Sequence, residues 1–361
     1  MKTEIKTGLI LGIIILIGVT SLYLFYTEID LKKNTTNQLD TKEKILLKNS
    51  PTLRGITGFI NTTENELEQL IQGNVVLYDF WTYSCINCIR TLPYITAWDE
   101  KYNEQGLVII GVHTPEFEFE KNQDNVLNAV TKFGIKYPVI LDNNKEIWNS
   151  FENNYWPRKY IADHEGYIRF DHIGEGAYKE TEMVIQVLLQ ERLQQNNKEF
   201  NISETLEIEE YKHSSLRTPE LYFGYKFANG RNQLGNTEGF QAGSIVNYQL
   251  PKEFAKHYFY LEGDWKNNSD GMELISNSGK IVLEYNAKQV NIVAAGNGEL
   301  EILIDGKKVP KQIAGTDVIE NKIKINEPRL YNMIETLEGE THTITIKATG
   351  ANLEIFTLTF G

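Results

Sequence analysis

The feature that most constrains the fold is the alternation of apolar strands with amphipathic helices between residues 51 and 195. Segments 75–80 and 107–112 are almost wholly apolar, which is typical of strands buried on both faces. Strands that alternate with helices, ending in a hairpin, predict a mixed central sheet covered on both faces. The other predicted elements are helices at 85–102, 123–133 and 180–193, a short strand at 137–141, and a hairpin of strands 159–161 and 167–170.

The pattern changes after about residue 194. Residues 196–215 are polar and acidic, so they are expected to form a linker. Beyond them, apolar and polar residues alternate in short segments separated by Gly, Asn and Asp, which predicts an antiparallel β-sandwich of the jelly-roll type over residues 216–361. The clearest predicted strands are 281–285, 290–293, 299–304, 342–346 and 353–360.

The N-terminal residues 1–26 are predicted to be a membrane anchor. No charged residue occurs between Gly8 and Tyr26, and a helix of that length spans about 28 Å, close to the hydrocarbon thickness of a bilayer. The exit from this segment offers no pair of small residues for signal-peptide cleavage. One uncleaved transmembrane helix is therefore expected, followed by a tether at 27–50, with the rest of the chain outside the cytoplasm.

Composition excludes one class of partner. The 361 residues are enough for two domains with ordinary cores, and 41% of them are hydrophobic. The formal net charge is −13, and neither large block carries a basic face of the size that nucleic acid requires. Nucleic acid is therefore not an expected partner.

Cys85 and Cys88 are the only cysteines, and they follow the predicted strand 75–80 directly. A disulfide between them closes so short a loop that it contributes only about 2 kcal/mol, which disfavours a structural staple. At the start of a helix, the first thiol meets free N–H groups that lower its pKa, and the second is placed to resolve a mixed disulfide. No second cysteine pair or suitably spaced histidine indicates zinc, and Ile89 stands where haem attachment needs histidine. The sequence therefore predicts a redox pair and no metal or other cofactor.

Several motifs resemble a known family. The order Asp79-Phe80-Trp81, the cysteine pair and Pro93 in the following helix resembles the thioredoxin superfamily. The closer resemblance is to TlpA- and DipZ-like thiol–disulfide oxidoreductases, and it extends over roughly residues 50–361. It rests on segments 81–88, 111–117, 155–157, 174–176 and 218–225.

This resemblance implies roles for further residues. Pro157 corresponds to the cis-proline that faces the redox pair and clamps a substrate peptide. Asp79 corresponds to a buried carboxylate that accepts the proton of Cys88. Members of the family can carry a multi-span electron-transfer module, so a single anchor implies a separate membrane electron donor. Residues expected to bind the substrate are Trp81, Trp156 and Glu116.

The sequence thus favours a membrane-anchored, extracytoplasmic thiol–disulfide oxidoreductase that acts on client proteins, with its direction left open. All of the chemistry is expected in residues 51–195. One alternative is a thiol peroxidase, for which Thr82 and Arg90 are the available partners of Cys85. The other is a cell-surface protein whose C-terminal domain binds a glycan or a protein while the redox site is vestigial. The aromatic residues of that domain are interpreted first as core.

Overall fold

The computed structural model describes residues 48–195, 203–213, 217–228 and 230–361. The predicted anchor and most of the predicted tether lie outside this range. In the part of the chain that the structure describes, no helix is both long and apolar enough to cross a membrane.

The first domain is built around a six-stranded mixed sheet. Its strands are β1 (Gly58–Ile60), β2 (Val75–Trp81), β3 (Leu107–His113), β4 (Val139–Leu141), β5 (Arg158–Ala162) and β6 (Ile168–Ile173). They lie in the order β1-β4-β3-β2-β5-β6. The pairs β2–β3 and β3–β4 are parallel, and the other neighbours are antiparallel.

Helices cover both faces of this sheet. Side chains alternate along β2, so that Leu77 packs into one core layer and Tyr78 into the layer on the other face. The first layer contains residues of α2, α3 and α5, and the second contains residues of α1 and α4. The predicted thioredoxin-like domain is confirmed. The helices are α1 (Glu64–Ile71), α2 (Ile86–Tyr102), α3 (Gln123–Lys132), α4 (Glu146–Ser150) and α5 (Tyr178–Gln195).

Two elements at the start of this domain were not predicted, namely β1 and α1. The N-terminus of α1 carries a capping box, in which the side chain of Thr63 accepts the N–H of Glu66 and the Glu66 carboxylate accepts the N–H of Thr63. This signal is present in the sequence. By contrast, Pro93 does not interrupt the helix that contains it, because α2 continues on both sides of it.

The second domain is rich in antiparallel strands. Those strands are β7 (Leu221–Tyr222), β8 (Ile245–Tyr248), β9 (Phe259–Asn267), β10 (Met272–Leu274), β11 (Ser278–Ile304), β12 (Lys307–Lys308), β13 (Lys322–Ile325) and β14 (Arg329–Phe360), with the short helix α6 (Tyr225–Ala228). The long strands β11 and β14 pair along most of their length, and they contain all five segments predicted most clearly. The pairing of β9 with both β10 and β11 closes the network on itself. The predicted jelly-roll sandwich of two sheets is therefore wrong in this respect: the strands form one closed arrangement with a small barrel.

Most aromatic residues of the second domain belong to its core. Phe259 and Trp265 are completely buried, and Phe223 stacks on Phe259 with ring centroids 4.0 Å apart. Tyr258 is an exception, with 38% of its surface exposed. The core interpretation of these aromatics therefore agrees with their burial.

The two domains are in contact through an apolar cluster, here called the interface cluster. Phe117 and Phe119 from the first domain pack against Phe356 from β14, with ring centroids 5.2 and 4.6 Å from Phe356. The backbone N–H of Glu118 donates to Asp270 at 2.9 Å. This contact brings the loop after β3 against the second domain.

Part of the predicted linker also packs on the first domain. The hydroxyl of Tyr94 donates to the carbonyl of Ile208 at 3.1 Å, and the N–H of Leu206 donates to the Glu182 carboxylate at 2.8 Å. Leu206 and Ile208 pack against the core layer that contains α2. Residues 203–213 therefore follow the surface of the first domain.

Candidate active site

The two cysteines lie at the N-terminus of α2 with different surroundings. Cys85 is the N-cap residue and is partly exposed, whereas Cys88 is fully buried one turn later. Both are free thiols, and the backbone N–H of Cys88 donates to the sulfur of Cys85 at 3.2 Å. This geometry makes Cys85 the accessible thiol and Cys88 the protected one.

Asp79 lies beneath the pair, on the β2 face that packs against α2. Its side chain is completely buried, and neither carboxylate oxygen has a hydrogen-bond partner among the described residues. Burial raises the pKa of Asp79 to about 6, although the charge of Lys159 opposes this shift. A carboxyl with this pKa can take up and release a proton near neutral pH.

Lys159 is a second buried charge at this site, and the sequence analysis did not identify it. It lies on β5 directly opposite Asp79 and is completely buried. Its ammonium group donates to the carbonyl of Gly174 at 3.3 Å. Burial lowers the pKa of Lys159, while the charges of Asp79 and Cys88 act in the opposite direction.

The surroundings of both thiols favour the protonated form. Burial raises the pKa of Cys85, and the carboxylates of Glu220 and Glu116 raise it further, while hydrogen bonds with Cys88 lower it. The pKa of Cys88 lies well above its ordinary value, because of burial, the neighbouring Cys85 and Asp79. The expectation of a lowered pKa at Cys85 is therefore wrong, because burial and two carboxylates outweigh the N–H groups of the helix.

Cys85 opens into a cleft between the two domains, here called the cysteine cleft, with a volume of about 180 Å³. The first domain contributes Glu116, Phe117 and Trp156 to its walls. The second domain and the segment before it contribute residues that the sequence analysis had placed outside the chemistry. These include Thr218, Glu220, Tyr222, Thr357 and Thr359.

Two acidic residues meet in this cleft from different domains. The hydroxyl of Tyr222 donates to the carboxylate of Glu116 at 2.9 Å. The hydroxyl of Thr357 donates to Glu220 at 3.4 Å. Burial raises the pKa of Glu116, and the neighbouring Glu220 and Glu120 raise it further.

The loop that carries Glu116 is held in place by Glu120. This side chain is completely buried and accepts the backbone N–H groups of Glu116 and Phe117 at 2.6 and 2.9 Å. It also accepts the hydroxyl of Ser84 at 2.5 Å. Glu120 thereby fixes the loop after β3 to the residue that precedes Cys85.

The remaining predicted site residues have different positions. Trp156 lines the cysteine cleft, and its indole N–H donates to the carbonyl of Thr114 at 2.9 Å. The Trp156–Pro157 peptide bond is cis, and Pro157 itself is buried. Trp81, which was predicted to bind substrate, is completely buried in the core, so it presents no surface to a client.

Sequence reasoning missed Lys159, Glu120, Glu220 and Tyr222. Glu120 belongs to an alternation of glutamates and phenylalanines at 116–120, and this pattern could have indicated a special loop. Glu220 and Tyr222 lie in the segment 218–225 that carries part of the family resemblance. Nothing local indicated that this segment reaches Cys85, which lies more than a hundred residues earlier.

Comparison with known proteins agrees with this two-part organisation. Residues 60–185 match the Redoxin family, and residues 218–361 match the family described as thioredoxin-like C-terminal domain. DipZ proteins of Mycobacterium bovis and Mycobacterium tuberculosis are 36% identical over 315 residues, which is 86% of this chain and 43% of DipZ. The chain therefore spans less than half the length of those relatives.

Smaller relatives match the first domain. The thiol–disulfide oxidoreductase YkuV of Bacillus subtilis is 29% identical over 141 residues, which is 39% of this chain and 94% of YkuV. The thiol–disulfide oxidoreductase ResA of Bacillus thuringiensis is 29% identical over 117 residues, which is 32% of this chain and 64% of ResA. The resemblance found in the sequence motifs is confirmed: the chain is similar to DipZ over 86% of its length, and its first domain is similar to smaller thiol–disulfide oxidoreductases.

Proposed function

We propose that this protein reduces disulfide bonds of client proteins through Cys85 and Cys88. The observation that carries the proposal is the asymmetry of the pair, in which Cys85 opens into the cysteine cleft and Cys88 is buried behind it. An exposed thiol can attack a client, whereas a protected thiol one helical turn away can only attack the mixed disulfide.

The reaction has two steps. The Cys85 thiolate attacks a client disulfide, so that one Cys85–client disulfide forms and one client thiolate leaves. Cys88 then attacks the sulfur of Cys85, releases the second client thiolate and leaves a Cys85–Cys88 disulfide. Two electrons pass from the protein to the client. Asp79 takes the proton that Cys88 must lose, because its raised pKa suits it to that role.

The surroundings of the thiols support reduction as the direction. A dithiol is a weak reductant when its thiolate is stabilised, and the strong oxidant DsbA owes its potential to a stabilised reduced form. At this site burial raises the pKa of Cys85, and the neighbouring acid pair of Glu220 and Glu116 acts in the same direction. The thiolate is therefore not stabilised, so the pair favours giving its electrons to a client.

The cellular setting is part of the same proposal. The uncharged segment between Gly8 and Tyr26 anchors the chain in a membrane with the redox domain outside the cytoplasm. The disulfide formed in each cycle must be reduced again, and a membrane protein that carries electrons across the bilayer is the donor we propose. Detection of an intact N-terminus in the membrane fraction after carbonate extraction supports the anchor, and a mature chain that begins after Tyr26 contradicts it.

The thiol peroxidase alternative is less well supported. Its two partner residues do not line the cysteine cleft. Thr82 is completely buried against His113, with 3.3 Å between its hydroxyl and a ring nitrogen. Arg90 contacts Glu175 and Gln289, and its guanidinium lies 3.6 Å from the ring centroid of Tyr211. Neither side chain is placed to bind a peroxide next to Cys85.

Insulin reduction and the redox potential test the proposed function together. The full chain is expected to reduce insulin with dithiothreitol as electron source, and the Cys85–Cys88 couple should have a potential near the roughly −270 mV of thioredoxin. A potential near −120 mV contradicts the proposed direction. Rapid peroxide consumption without insulin reduction supports the peroxidase, and a redox-inert protein that binds glycans supports the surface-binding alternative.

A further inference from the structure

The cysteine cleft contains an acid pair that the two steps above do not use. Glu116 comes from the first domain, Glu220 comes from the segment that leads into the second, and both face Cys85 across the cleft. The hydroxyl of Tyr222 donates to the Glu116 carboxyl at 2.9 Å, and the hydroxyl of Thr357 donates to the Glu220 carboxyl at 3.4 Å. The two domains therefore assemble this group only when they are in contact.

The shared cleft favours one proton on this pair. Two ionised carboxylates that line the same small cleft repel each other, and protonation of one of them removes this repulsion. The pair is therefore most stable with one glutamate protonated and the other ionised.

We propose that Glu116 and Glu220 together hold one proton and deliver it to the client sulfur that leaves when Cys85 attacks. This inference rests on the proposed function and adds a catalytic group to it. One part of that group is supplied by the C-terminal side of the chain, which the sequence analysis had excluded from the chemistry.

The charges around the pair keep the proton there at neutral pH. Burial raises the pKa of Glu116, and Glu220 and Glu120 raise it further, while Lys145 opposes the shift. Burial also raises the pKa of Glu220, which Arg231 and Arg217 oppose. The ionisable groups that face the pair from the neighbouring elements are Cys85, Glu120, Lys145, Arg217, Tyr222 and Arg231.

The proton transfer accompanies the first of the two exchange steps. The Cys85 thiolate attacks one sulfur of the client disulfide, and a bond forms between those two sulfurs. The client S–S bond breaks, and its electron pair goes to the second client sulfur. That sulfur receives the proton from the acid pair and leaves as a thiol. The pair is then doubly ionised, and it regains a proton from water before the next cycle.

A proton donor matters for ordinary client cysteines. Their free thiols have pKa values near 8.5, so the leaving thiolate is a fairly strong base that departs slowly without assistance. An acid whose pKa lies near the operating pH is the most effective donor, and such transfers typically contribute 10²–10⁴-fold. A leaving thiol of low pKa gains almost nothing from the same donor.

The test compares two uncharged disulfides that differ in their leaving groups. Hydroxyethyl disulfide releases a basic alkyl thiolate, whereas 2,2′-dithiodipyridine releases a stable thiopyridone. Single-turnover rates of the reduced full chain are measured with both, for the parent and for Glu116→Gln and Glu220→Gln. We expect each substitution to slow the alkyl disulfide by about 10²-fold. The rate with dithiodipyridine should change by at most about threefold.

Glu118→Gln is the matched control. Glu118 lies on the same loop, but its side chain is exposed and pairs with Lys121 at the surface. Its substitution should leave the ratio of the two rates unchanged.

Three outcomes overturn the inference. Equal slowing with both disulfides means that the glutamates only position the site, and an unchanged rate with both means that they have no role. Disulfide-linked peptides of different charge extend the comparison. If the slowing follows the charge of the peptide rather than the pKa of its leaving thiol, the glutamates select clients and do not donate a proton. If the parent chain reduces neither disulfide, the proposed function itself fails, and that result is distinct from the other three.

Discussion

At the scale of single residues, the site is defined by neighbours with opposite surroundings. Cys85 and Cys88 are one helical turn apart, yet one is partly exposed in a cleft and the other has no exposed surface. Asp79 is buried without a hydrogen-bond partner among the described residues. These differences in burial assign different chemistry to similar side chains.

The first prediction concerns the division of labour between the cysteines. Cys88→Ser should accumulate mixed disulfides with clients, because Cys85 still attacks and nothing resolves the product. Cys85→Ser should accumulate none and should lose insulin reduction. Mass spectrometry of non-reduced samples measures both. Turnover of Cys88→Ser at the parental rate, or equal labelling of both thiols by iodoacetamide near neutral pH, contradicts this assignment.

The second prediction concerns the loss of folding stability when the buried Asp79 ionises. Its folded pKa is about 6, above its ordinary value, so the folded state binds more protons than the unfolded state between about pH 4 and 6. Stability therefore falls as the pH rises through this window, by roughly 3 kcal/mol in total. Asp79→Asn should be more stable than its parent at pH 7.5 and equally stable near pH 3.5.

The measurement is urea unfolding of both proteins in a Cys85→Ser/Cys88→Ser background, so that thiol ionisation does not contribute. If the stability difference between Asp79→Asn and its parent does not depend on pH, Asp79 is not a buried carboxyl with a raised pKa. In the protein with both cysteines, Asp79→Asn should also slow resolution of the mixed disulfide by as much as 10²–10⁴-fold. An unchanged resolution rate at pH 7 contradicts the proton-acceptor role.

At the scale of elements, the site is held where β2, α2 and the loop after β3 meet. The N-terminus of α2 places Cys85, and β2 places Asp79 on the face beneath it. The loop is fixed by Glu120, which accepts two backbone N–H groups and the hydroxyl of Ser84. One buried carboxylate thus connects the element that carries Glu116 to the element that carries Cys85.

The third prediction tests this connection. Glu120→Ala removes the oxygen that accepts the backbone N–H groups of Glu116 and Phe117, so these two N–H groups lose their partner. We expect a loss of about 1–3 kcal/mol in unfolding free energy and a higher KM for insulin, because the loop with Glu116 is displaced. Glu118→Ala, at an exposed position of the same loop, should change stability by less than about 0.5 kcal/mol. Equal effects of the two substitutions would refute the anchoring role.

At the scale of the whole molecule, the two domains form one site. The interface cluster holds the loop after β3 against β14, and the cysteine cleft lies beside it. A chain cut in the segment 196–215 loses Glu220, Tyr222 and the packing of Phe356. The isolated first domain is therefore expected to reduce alkyl disulfides more slowly than the full chain does. From the sequence alone, all of the chemistry was expected within the first domain.

The fourth prediction concerns Phe356, which is 2% exposed and contacts Phe117 and Phe119 across the interface. Phe356→Ala should lower the unfolding free energy by about 3–5 kcal/mol. It should also separate the unfolding of the two domains, as seen by tryptophan fluorescence and far-ultraviolet circular dichroism during urea titration. Leu337→Ala on the same strand is the control, because Leu337 is 95% exposed and should have little effect. A single transition of unchanged midpoint in Phe356→Ala contradicts the coupling.

Sequence by itself determined the features that depend on local order. The alternation of strands and helices predicts the first domain, and the period-two pattern predicts the strands of the second, because side-chain periodicity follows from backbone geometry. The cysteine pair at the start of α2 and the carboxylate of Asp79 were found because strand, turn and helix follow one another directly. The short elements β1 and α1 escaped, since few residues in them carry a periodic signal.

Only the tertiary structure decided what surrounds the thiols. Lys159 faces Asp79 through the pairing of β5 with β2, and Glu220 reaches Cys85 through the contact between domains. Trp81 was expected at the surface of the site but is buried, because helices cover both faces of the sheet and every residue of β2 lies in the core. A pKa depends on burial and on charges brought together from distant parts of the chain. The direction of the shift at Cys85 therefore became visible only when both domains were in place.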